Sequence, residues 1–284
     1  MAFPKTAILG VGLLGASFGL ALRKAGLCSH IAGYGRSREN LERAKAAGII
    51  DSYASDPASA CMDADLILIA SPLGSFTDLI RKAAPAIKHG AVVTDVGSVK
   101  GSLVQEIEGM MPEGANFIGS HPIAGSDRSG MDHAKAGLFR DALCILTPTM
   151  NSDPNALKTV NDIWSSLGSK VLNMDPFEHD RIYAAVSHLP HLVAYAMVNT
   201  VSDIDSSYFS YCGQGFKDMT RIAASSPDIW TDIAIMNREN LISMLSGFRA
   251  NIDRIELSLR NSDAEALKQQ LIKASRTREE IGQD

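Results

Sequence analysis

The sequence predicts an α/β protein: a Rossmann-type doubly wound parallel sheet followed by an all-helical domain. A glycine-rich turn, Gly10-Val-Gly12-Leu-Leu-Gly15, follows a short apolar strand. Apolar segments of strand length alternate with amphipathic segments to about residue 174, and helical patterns follow. The 284 residues are also nearer two domains than one, at roughly 150 residues per domain. We therefore expect a dinucleotide-binding domain at 1–174 and a helical domain at 175–284.

The first predicted unit is a strand at 6–9, the glycine-rich turn and a helix at 16–25. Gly10 permits the tight turn, Gly12 lets the backbone approach a pyrophosphate, and Gly15 lets helix and strand pack. The helix N-terminus offers free N–H groups to the phosphates. We expect the dinucleotide to be bound by this turn and by residues after a later strand, namely Gly10, Gly12, Leu14, Gly15, Ser71 and Pro72.

The second strand ends at Gly35, where an acidic residue would bind the ribose 2′-hydroxyl of NAD. Arg36, Ser37 and Arg38 follow instead, and such donors suit a 2′-phosphate. This segment therefore favours NADP as the cofactor. NAD is the alternative, if the two arginines only form a solvated loop before a helix at 39–47.

The rest of the sheet is predicted from unbroken apolar segments, as expected for parallel strands buried on both faces. These segments lie at 64–70, 91–95, 116–120 and 142–146. Amphipathic segments around 76–87, 99–110 and 154–167 supply the helices between strands.

The helical domain is predicted to begin at Asp175-Pro-Phe-Glu178, because Asp is a good cap and Pro suits the first helical position. That helix should run to about residue 201, with a kink at Pro190. A second long helix opens at Ser226, and a terminal helix covers 264–280. Apolar residues of the second helix recur at alternating spacings of four and three, which suits packing on another helix or a second subunit; they are Leu241, Leu245, Phe248, Ile252, Ile255 and Leu259.

Composition excludes several classes of protein. Acidic residues outnumber basic ones by 32 to 27, and no run of Lys or Arg resembles a nucleic-acid arm or a membrane patch. The four scattered cysteines form no CxxC pair, as is typical of reduced thiols in a cytoplasmic protein. We expect a cytoplasmic protein with neither nucleic acid nor membrane as partner.

Four clusters of polar residues are candidates for a site. Ser98 follows a strand and either caps the next helix or belongs to the site, or both. His121 lies in a loop rich in proline and glycine, and histidine is the usual general base near neutral pH. His188 shares a helical face with His191, but no third metal ligand is evident. Arg221 is either a surface charge or a clamp for a carboxylate.

With these motifs in this order, the chain resembles the prephenate and arogenate dehydrogenases of tyrosine biosynthesis over nearly its whole length. The resemblance rests on the GxGxxG turn, VGSVK at 96–100, GSHPIAG at 119–125, VSHLPH at 186–191, and FKDMTRIA at 216–223 followed by Trp230. It implies that Ser98, His121, His188 and Arg221 line the substrate site. It further implies that His121 accepts a hydrogen bond from the ring hydroxyl, that Arg221 binds a carboxylate, and that the helical domain forms a homodimer.

The activity implied is oxidative decarboxylation of arogenate, prephenate or both, with hydride transfer to NAD(P)+. Ser98 would orient His121 and the nicotinamide. Asp127, in the family's site loop, would favour arogenate, because only that substrate carries an ammonium. The alternatives are another two-domain dehydrogenase or reductase of the β-hydroxyacid or pyrroline type, and a non-catalytic dinucleotide sensor.

Overall fold

The computed structural model describes residues 2–125 and 130–281, and within them the N-terminal part forms one eight-stranded sheet. The strands are β1 (Phe3–Leu9), β2 (Cys28–Tyr34), β3 (Ser52–Tyr53), β4 (Leu66–Ile69), β5 (Val92–Asp95), β6 (Asn116–Pro122), β7 (Leu143–Thr147) and β8 (Lys170–Asn173). Their spatial order is β3-β2-β1-β4-β5-β6-β7-β8. The first six are parallel and have the Rossmann strand order, so the predicted fold class is confirmed.

The last two strands depart from the uniformly parallel sheet that the sequence predicts. β7 is antiparallel to β6, with His121 opposite Ile145, and β8 is parallel to β7. In the described part of the connection between β6 and β7 there is only a short 3-10 turn, Met131–His133, and no crossover helix. Parallel pairing needs a crossover connection, so the chain returns antiparallel.

Helices cover both faces of the sheet: α1 (Leu13–Lys24), α2 (Arg38–Ala46), α3 (Pro57–Cys61), α4 (Phe76–Ala83), α5 (Gly101–Glu108) and α6 (Pro154–Ser166). Because side chains alternate along a strand, neighbouring residues of β1 enter different cores. Ile8 packs with Phe18 and Trp164, whereas Leu9 packs with Phe76 on the opposite face. Each face of the sheet therefore has its own buried apolar cluster.

The C-terminal part contains α7 (Pro176–Tyr183), α8 (Leu189–Asp205), α9 (Gln214–Thr220), α10 (Pro227–Met236), α11 (Arg238–Arg260) and α12 (Ala264–Glu280). The helix predicted from 175 to about 201 is interrupted by a π-helical turn, Ala184–His188, immediately before Pro190 in α8. Proline has no N–H for the preceding turn, so a distortion at this point is expected. The second long helix is likewise divided, at Asn237.

The apolar stripe of α11 is only partly covered. Leu241 is buried, but Phe248 is 36%, Ile252 45% and Leu259 60% exposed in the single chain. Among the described residues no helix is both long and apolar enough to cross a membrane.

Candidate active site

The glycine-rich turn lies where the strand order reverses, between β1 and β4, which is where open α/β sheets bind ligands. Gly10 has a φ of 112°, and a Cβ there would lie 2.5 Å from the Ala70 carbonyl carbon. A Cβ at Gly15 would overlap the Gly10 carbonyl oxygen, whereas one at Gly12 would meet nothing within 4 Å. Because α1 also begins without a side-chain cap, its N–H groups are open to an anion. The turn therefore fits a dinucleotide pyrophosphate.

The other predicted cofactor residues surround this turn. Leu14 is half-buried, and the Ser71 Oγ lies 2.9 Å from the Ser75 Oγ in the loop after β4 that contains Pro72. After β2, the Ser37 hydroxyl caps α2 by accepting from the Asn40 N–H, at 3.2 Å. The Arg38 guanidinium donates to Glu42, at 2.8 Å. Arg36 is exposed and, among the described residues, forms no ion pair.

His121, near the end of β6, is buried against α7. Its Nδ1 lies 2.9 Å from Nε2 of His179, and Nδ1 of His179 lies 2.9 Å from Oδ1 of Asp180. The Tyr183 ring packs on both imidazoles, with centroid distances of 4.9 Å to His121 and 4.6 Å to His179. A strand of the sheet and a helix of the C-terminal part thus meet through three aromatic rings and one carboxylate.

A buried ion pair supports the loop that carries Ser98. The Lys100 ammonium contacts the Asp95 carboxylate, and both side chains are 1% exposed. Asp95 also accepts from the backbone N–H groups of Gly97, at 2.7 Å, and Ser120, at 2.9 Å. The Lys100 N–H donates to Oδ1 of Asp180, at 2.8 Å, so the loop is bound to the sheet on one side and to α7 on the other.

Burial keeps the histidines of this site neutral. Desolvation, followed by the nearby His179, Lys100 and His188, holds the pKa of His121 well below its usual range. Burial also lowers the pKa of His179, and it lowers the pKa of His188 to about 4. A neutral imidazole keeps one lone pair, so each ring can accept a hydrogen bond near neutral pH.

His188 lies in the π-helical turn and is 1% exposed. Nδ2 of Asn237 donates to Nδ1 of His188, at 3.0 Å, and to the Asp180 carbonyl oxygen, at 2.8 Å. The Asn237 amide oxygen accepts from Asn240, which supports this amide orientation. The proton of neutral His188 is therefore on Nε2, a buried atom that makes no hydrogen bond of normal length in the described part of the chain, although the Ser98 backbone lies beside it. Such an N–H suits a ligand oxygen.

Trp230 packs on two histidines, one of which, His191, lies near Arg221. The His191 ring stacks on Trp230 with a centroid distance of 3.5 Å, and the His188 ring lies edge-on to it at 6.0 Å. Burial lowers the pKa of His191, and the nearby Arg221 charge lowers it further. The Arg221 side chain is exposed and, within residues 2–125 and 130–281, makes no ion pair or hydrogen bond, so it is available for an anionic ligand.

The structure brings several predicted residues together and adds others. Ser98 does not cap α5, which begins at Gly101 after Lys100; its backbone lies beside His188. Asp127 lies outside the described residues. Three residues that the sequence does not predict support the predicted histidines by hydrogen bonds; they are His179, Asp180 and Asn237. The His179-Asp180 dipeptide just inside a helix start is a local signal for two of them, whereas Asn237 has none.

Two family models together match most of the chain. Prephenate dehydrogenase, nucleotide-binding domain, matches residues 18–173. Prephenate dehydrogenase, dimerization domain, matches residues 175–273.

Individual proteins give the same result. The chain is 33% identical over 264 residues to a prephenate dehydrogenase of Bacillus subtilis, with 92% of this chain and 71% of the relative covered. It is 30% identical over 280 residues to a cyclohexadienyl dehydrogenase of Zymomonas mobilis, with 97% and 95% covered. The crystal structure of A. aeolicus prephenate dehydrogenase in complex with hydroxyphenyl propionate and NAD+ superposes with a TM-score of 0.92, at 35% identity and 99% coverage of both chains. The chain therefore belongs to the prephenate dehydrogenase family.

Proposed function

We propose that this protein is an NAD(P)+-dependent dehydrogenase that oxidatively decarboxylates prephenate, arogenate or both. The observation that carries the proposal is the neutral, buried His121 facing the helical part, with the donor Nε2–H of His188 nearby in the same buried cluster. Membership of the prephenate dehydrogenase family supports it, and favours it over the β-hydroxyacid or pyrroline alternative.

In the proposed reaction, a bound dinucleotide accepts the hydride that leaves the ring carbon bearing the hydroxyl. His121 accepts a hydrogen bond from that hydroxyl, which becomes more acidic as the carbon becomes carbonyl-like. Arg221 binds a substrate carboxylate, and the Nε2–H of His188 donates to a substrate oxygen. Ser98 orients His121 and the nicotinamide. Loss of carbon dioxide makes the ring aromatic and drives the reaction forward.

The experiment that tests this proposal assays prephenate and arogenate, each with NAD+ and NADP+, by following reduced nicotinamide. We expect activity in at least one of the four combinations. His121→Asn should lower kcat about a hundredfold to ten-thousandfold with little change in KM. The matched control is His89→Asn, which alters an exposed histidine. No activity in any combination would refute the proposal, and near-normal kcat in His121→Asn would remove His121 from the mechanism.

We also propose a preference for NADP. β2 is not followed by an acidic residue, and Arg36 is unpaired among the described residues while Arg38 is bound to Glu42. Arg36→Ala should therefore lower kcat/KM for NADP+ about tenfold, the effect of losing roughly 1.4 kcal/mol of a charge-assisted contact, and leave NAD+ unaffected. Lys45→Ala, which removes another exposed cation of α2 that is not a predicted cofactor residue, is the matched control. Wild-type preference for NAD+ would contradict this proposal.

For the substrate, we propose that Asp127 favours arogenate by pairing with its ammonium group. The residue lies outside the described part of the structure, so the proposal rests on charge and on position in the loop after His121. Asp127→Asn should lower kcat/KM for arogenate relative to prephenate. An unchanged ratio would remove Asp127 from substrate selection.

Finally, we propose that residues 1–174 form the dinucleotide domain and 175–284 a substrate and dimerisation domain of a homodimer. The sheet ends at Asn173 and α7 begins at Pro176, which supports this boundary. The exposed apolar stripe of α11 supports a second subunit at this surface.

A further inference from the structure

The proposed reaction uses one nitrogen of His121, and the structure shows what the other nitrogen does. Nδ1 of His121 contacts His179, and His179 contacts Asp180, with heavy-atom distances of 2.9 Å at both steps. The His179 side chain is fully buried and that of Asp180 is 7% exposed. The three groups form a hydrogen-bonded row leading away from the site, which we call the His121 relay.

Hydrogen-bond chemistry sets the direction of this row. A carboxylate oxygen only accepts, so His179 must donate from Nδ1 to Oδ1 of Asp180. Burial lowers the pKa of His179, which keeps this ring neutral with a lone pair on Nε2. That lone pair accepts from Nδ1–H of His121, which leaves Nε2 of His121 as the acceptor atom.

Asp180 is itself held rigidly. Its Oδ1 accepts from the Lys100 N–H, at 2.8 Å, and its carbonyl oxygen accepts from Asn237, at 2.8 Å. A residue whose carboxylate and backbone carbonyl are each bound by another element can in turn fix the plane of His179. The row is therefore preorganised before any ligand binds.

We propose that His179 and Asp180 are positioning residues, which hold His121 in the Nδ1–H tautomer and balance the positive charge it gains in the transition state. The catalytic consequence rests on the proposed function; the tautomer is a property of the free protein. The ring hydroxyl proton is shared with Nε2 of His121 while two electrons leave with the hydride. The proton returns to oxygen when the carbon–carboxylate bond breaks and its electron pair enters the ring, so no net proton is released.

The charge balance around His121 explains why a relay is needed. The ionisable groups near His121, on β7, α7, the π-helical turn and the loop after β5, are Cys144, His179, Tyr183, His188 and Lys100. Lys100 repels positive charge on His121, and its own counter-ion is Asp95. Asp180 is the carboxylate that reaches His121 through the row of hydrogen bonds.

The first test is made on the wild-type protein. Long-range ¹H–¹⁵N correlation spectra of the full-length protein, labelled with ¹⁵N-histidine, report which ring nitrogen carries the proton. His121→Asn assigns the His121 signals. In the absence of cofactor and substrate, we expect Nδ1 of His121 to carry the proton and Nε2 to be unprotonated. A proton on Nε2 in the wild-type protein would overturn the proposal.

The second test compares two replacements of His179. His179→Leu removes the acceptor, so we expect mixed tautomers at His121 and kcat lowered on the order of a hundredfold, with KM within about twofold. In His179→Gln the amide oxygen can accept from Nδ1–H and the NH2 group can donate to Asp180, so most of kcat should return. His89→Leu is the control for replacing a histidine by leucine, because His89 is exposed and lies outside the site, and it should change kcat little.

Equal losses in the Leu and Gln variants, with the His121 tautomer unchanged in both, would reduce His179 to a packing role and overturn the proposal. Failure of the proposed function looks different. In that case the wild-type protein would show the Nδ1–H tautomer and yet oxidise neither prephenate nor arogenate.

Discussion

The sheet-bearing part and the helical part of this molecule bury their apolar residues to different extents. In the first, both faces of the sheet are covered and residues such as Phe18, Phe76 and Trp164 are fully buried. Few apolar residues of the helical part are buried. In the described residues after Asn173 they are Pro176, Tyr183, Ala184, Ala194, Ile233 and Leu241. The sheet therefore has a core largely of its own, whereas the helices depend on what they pack against. Ile233 of α10 belongs to the cluster around Leu9 and Phe76, and Trp230 packs against that cluster.

The helical part is also buried unevenly. The side chains that it buries completely, among them His179 and His188, lie against the sheet at the candidate active site, together with Asn237. The outer stripe of α11 is exposed. We therefore expect the helices to gain order from two contacts, one with the sheet and one at the proposed subunit interface. Disturbing either contact should leave the sheet intact.

The largest expected effect comes from a tryptophan of the sheet-bearing part. Trp164 is fully buried, contacts Phe18 and Phe139 with centroid distances of 5.2 and 5.1 Å, and donates to Ser120. Trp164→Ala should lower the free energy of unfolding by about 3–5 kcal/mol, because it leaves a large cavity. Urea unfolding at several protein concentrations measures the loss, which should not depend on concentration.

The matched control is the second tryptophan of the chain. Trp230 is half-buried and stacks on His191. Trp230→Ala should cost less unfolding free energy than Trp164→Ala and lower substrate affinity. Equal stability losses at the two positions would contradict this expectation, because the sheet would then depend on its contact with α10 as much as on its own buried residues.

A charged residue on the apolar stripe of α11 tests the proposed subunit interface of the helical part. Ile252→Asp places a carboxylate at the proposed interface, where burial without a partner costs on the order of 3 kcal/mol. Association should then weaken by more than about a hundredfold, as measured by sedimentation velocity. Ala250→Asp, on the opposite side of α11, is the control and should leave association unchanged. An Ile252→Asp protein that associates like the wild type would place the interface elsewhere.

The same contrast explains what could be predicted from the sequence. The glycine-rich turn, the buried strands and the α11 stripe are repeated local patterns, each complete within one element, so they were predictable. The direction of β7 was not, because it depends on whether the connection from β6 contains a crossover helix. The relay was not predictable either. His179 lies 58 positions from His121, and Asn237 lies 49 from His188, so only folding brings these pairs together.

A small decrease in pH should weaken the contact between the helices and the sheet at the candidate active site. We expect this effect to be smaller than those of Trp164→Ala and Ile252→Asp. Burial lowers the pKa of His188 to about 4, whereas an unfolded histidine titrates near 6.5. The unfolded state then binds the proton more readily, so the stability contributed by neutral His188 is present above about pH 6.5 and is lost progressively as pH falls towards 4. Between about pH 7 and pH 5.5 this amounts to roughly 1 kcal/mol.

Urea unfolding of the wild type and of His188→Gln, at both pH values and one protein concentration, measures this effect. The difference in unfolding free energy between the two pH values should be smaller in His188→Gln, because Gln does not titrate. His89→Gln, which replaces an exposed histidine, should keep the wild-type difference. His121 and His179, whose pKa values are also lowered, add to the same trend, so the His188→Gln protein should retain part of it. If His188→Gln kept the full wild-type difference, His188 would have to be protonated to the same extent in the folded and unfolded states. Burial of neutral His188 between the sheet and the helices would then not be what orders the helical part at the candidate active site.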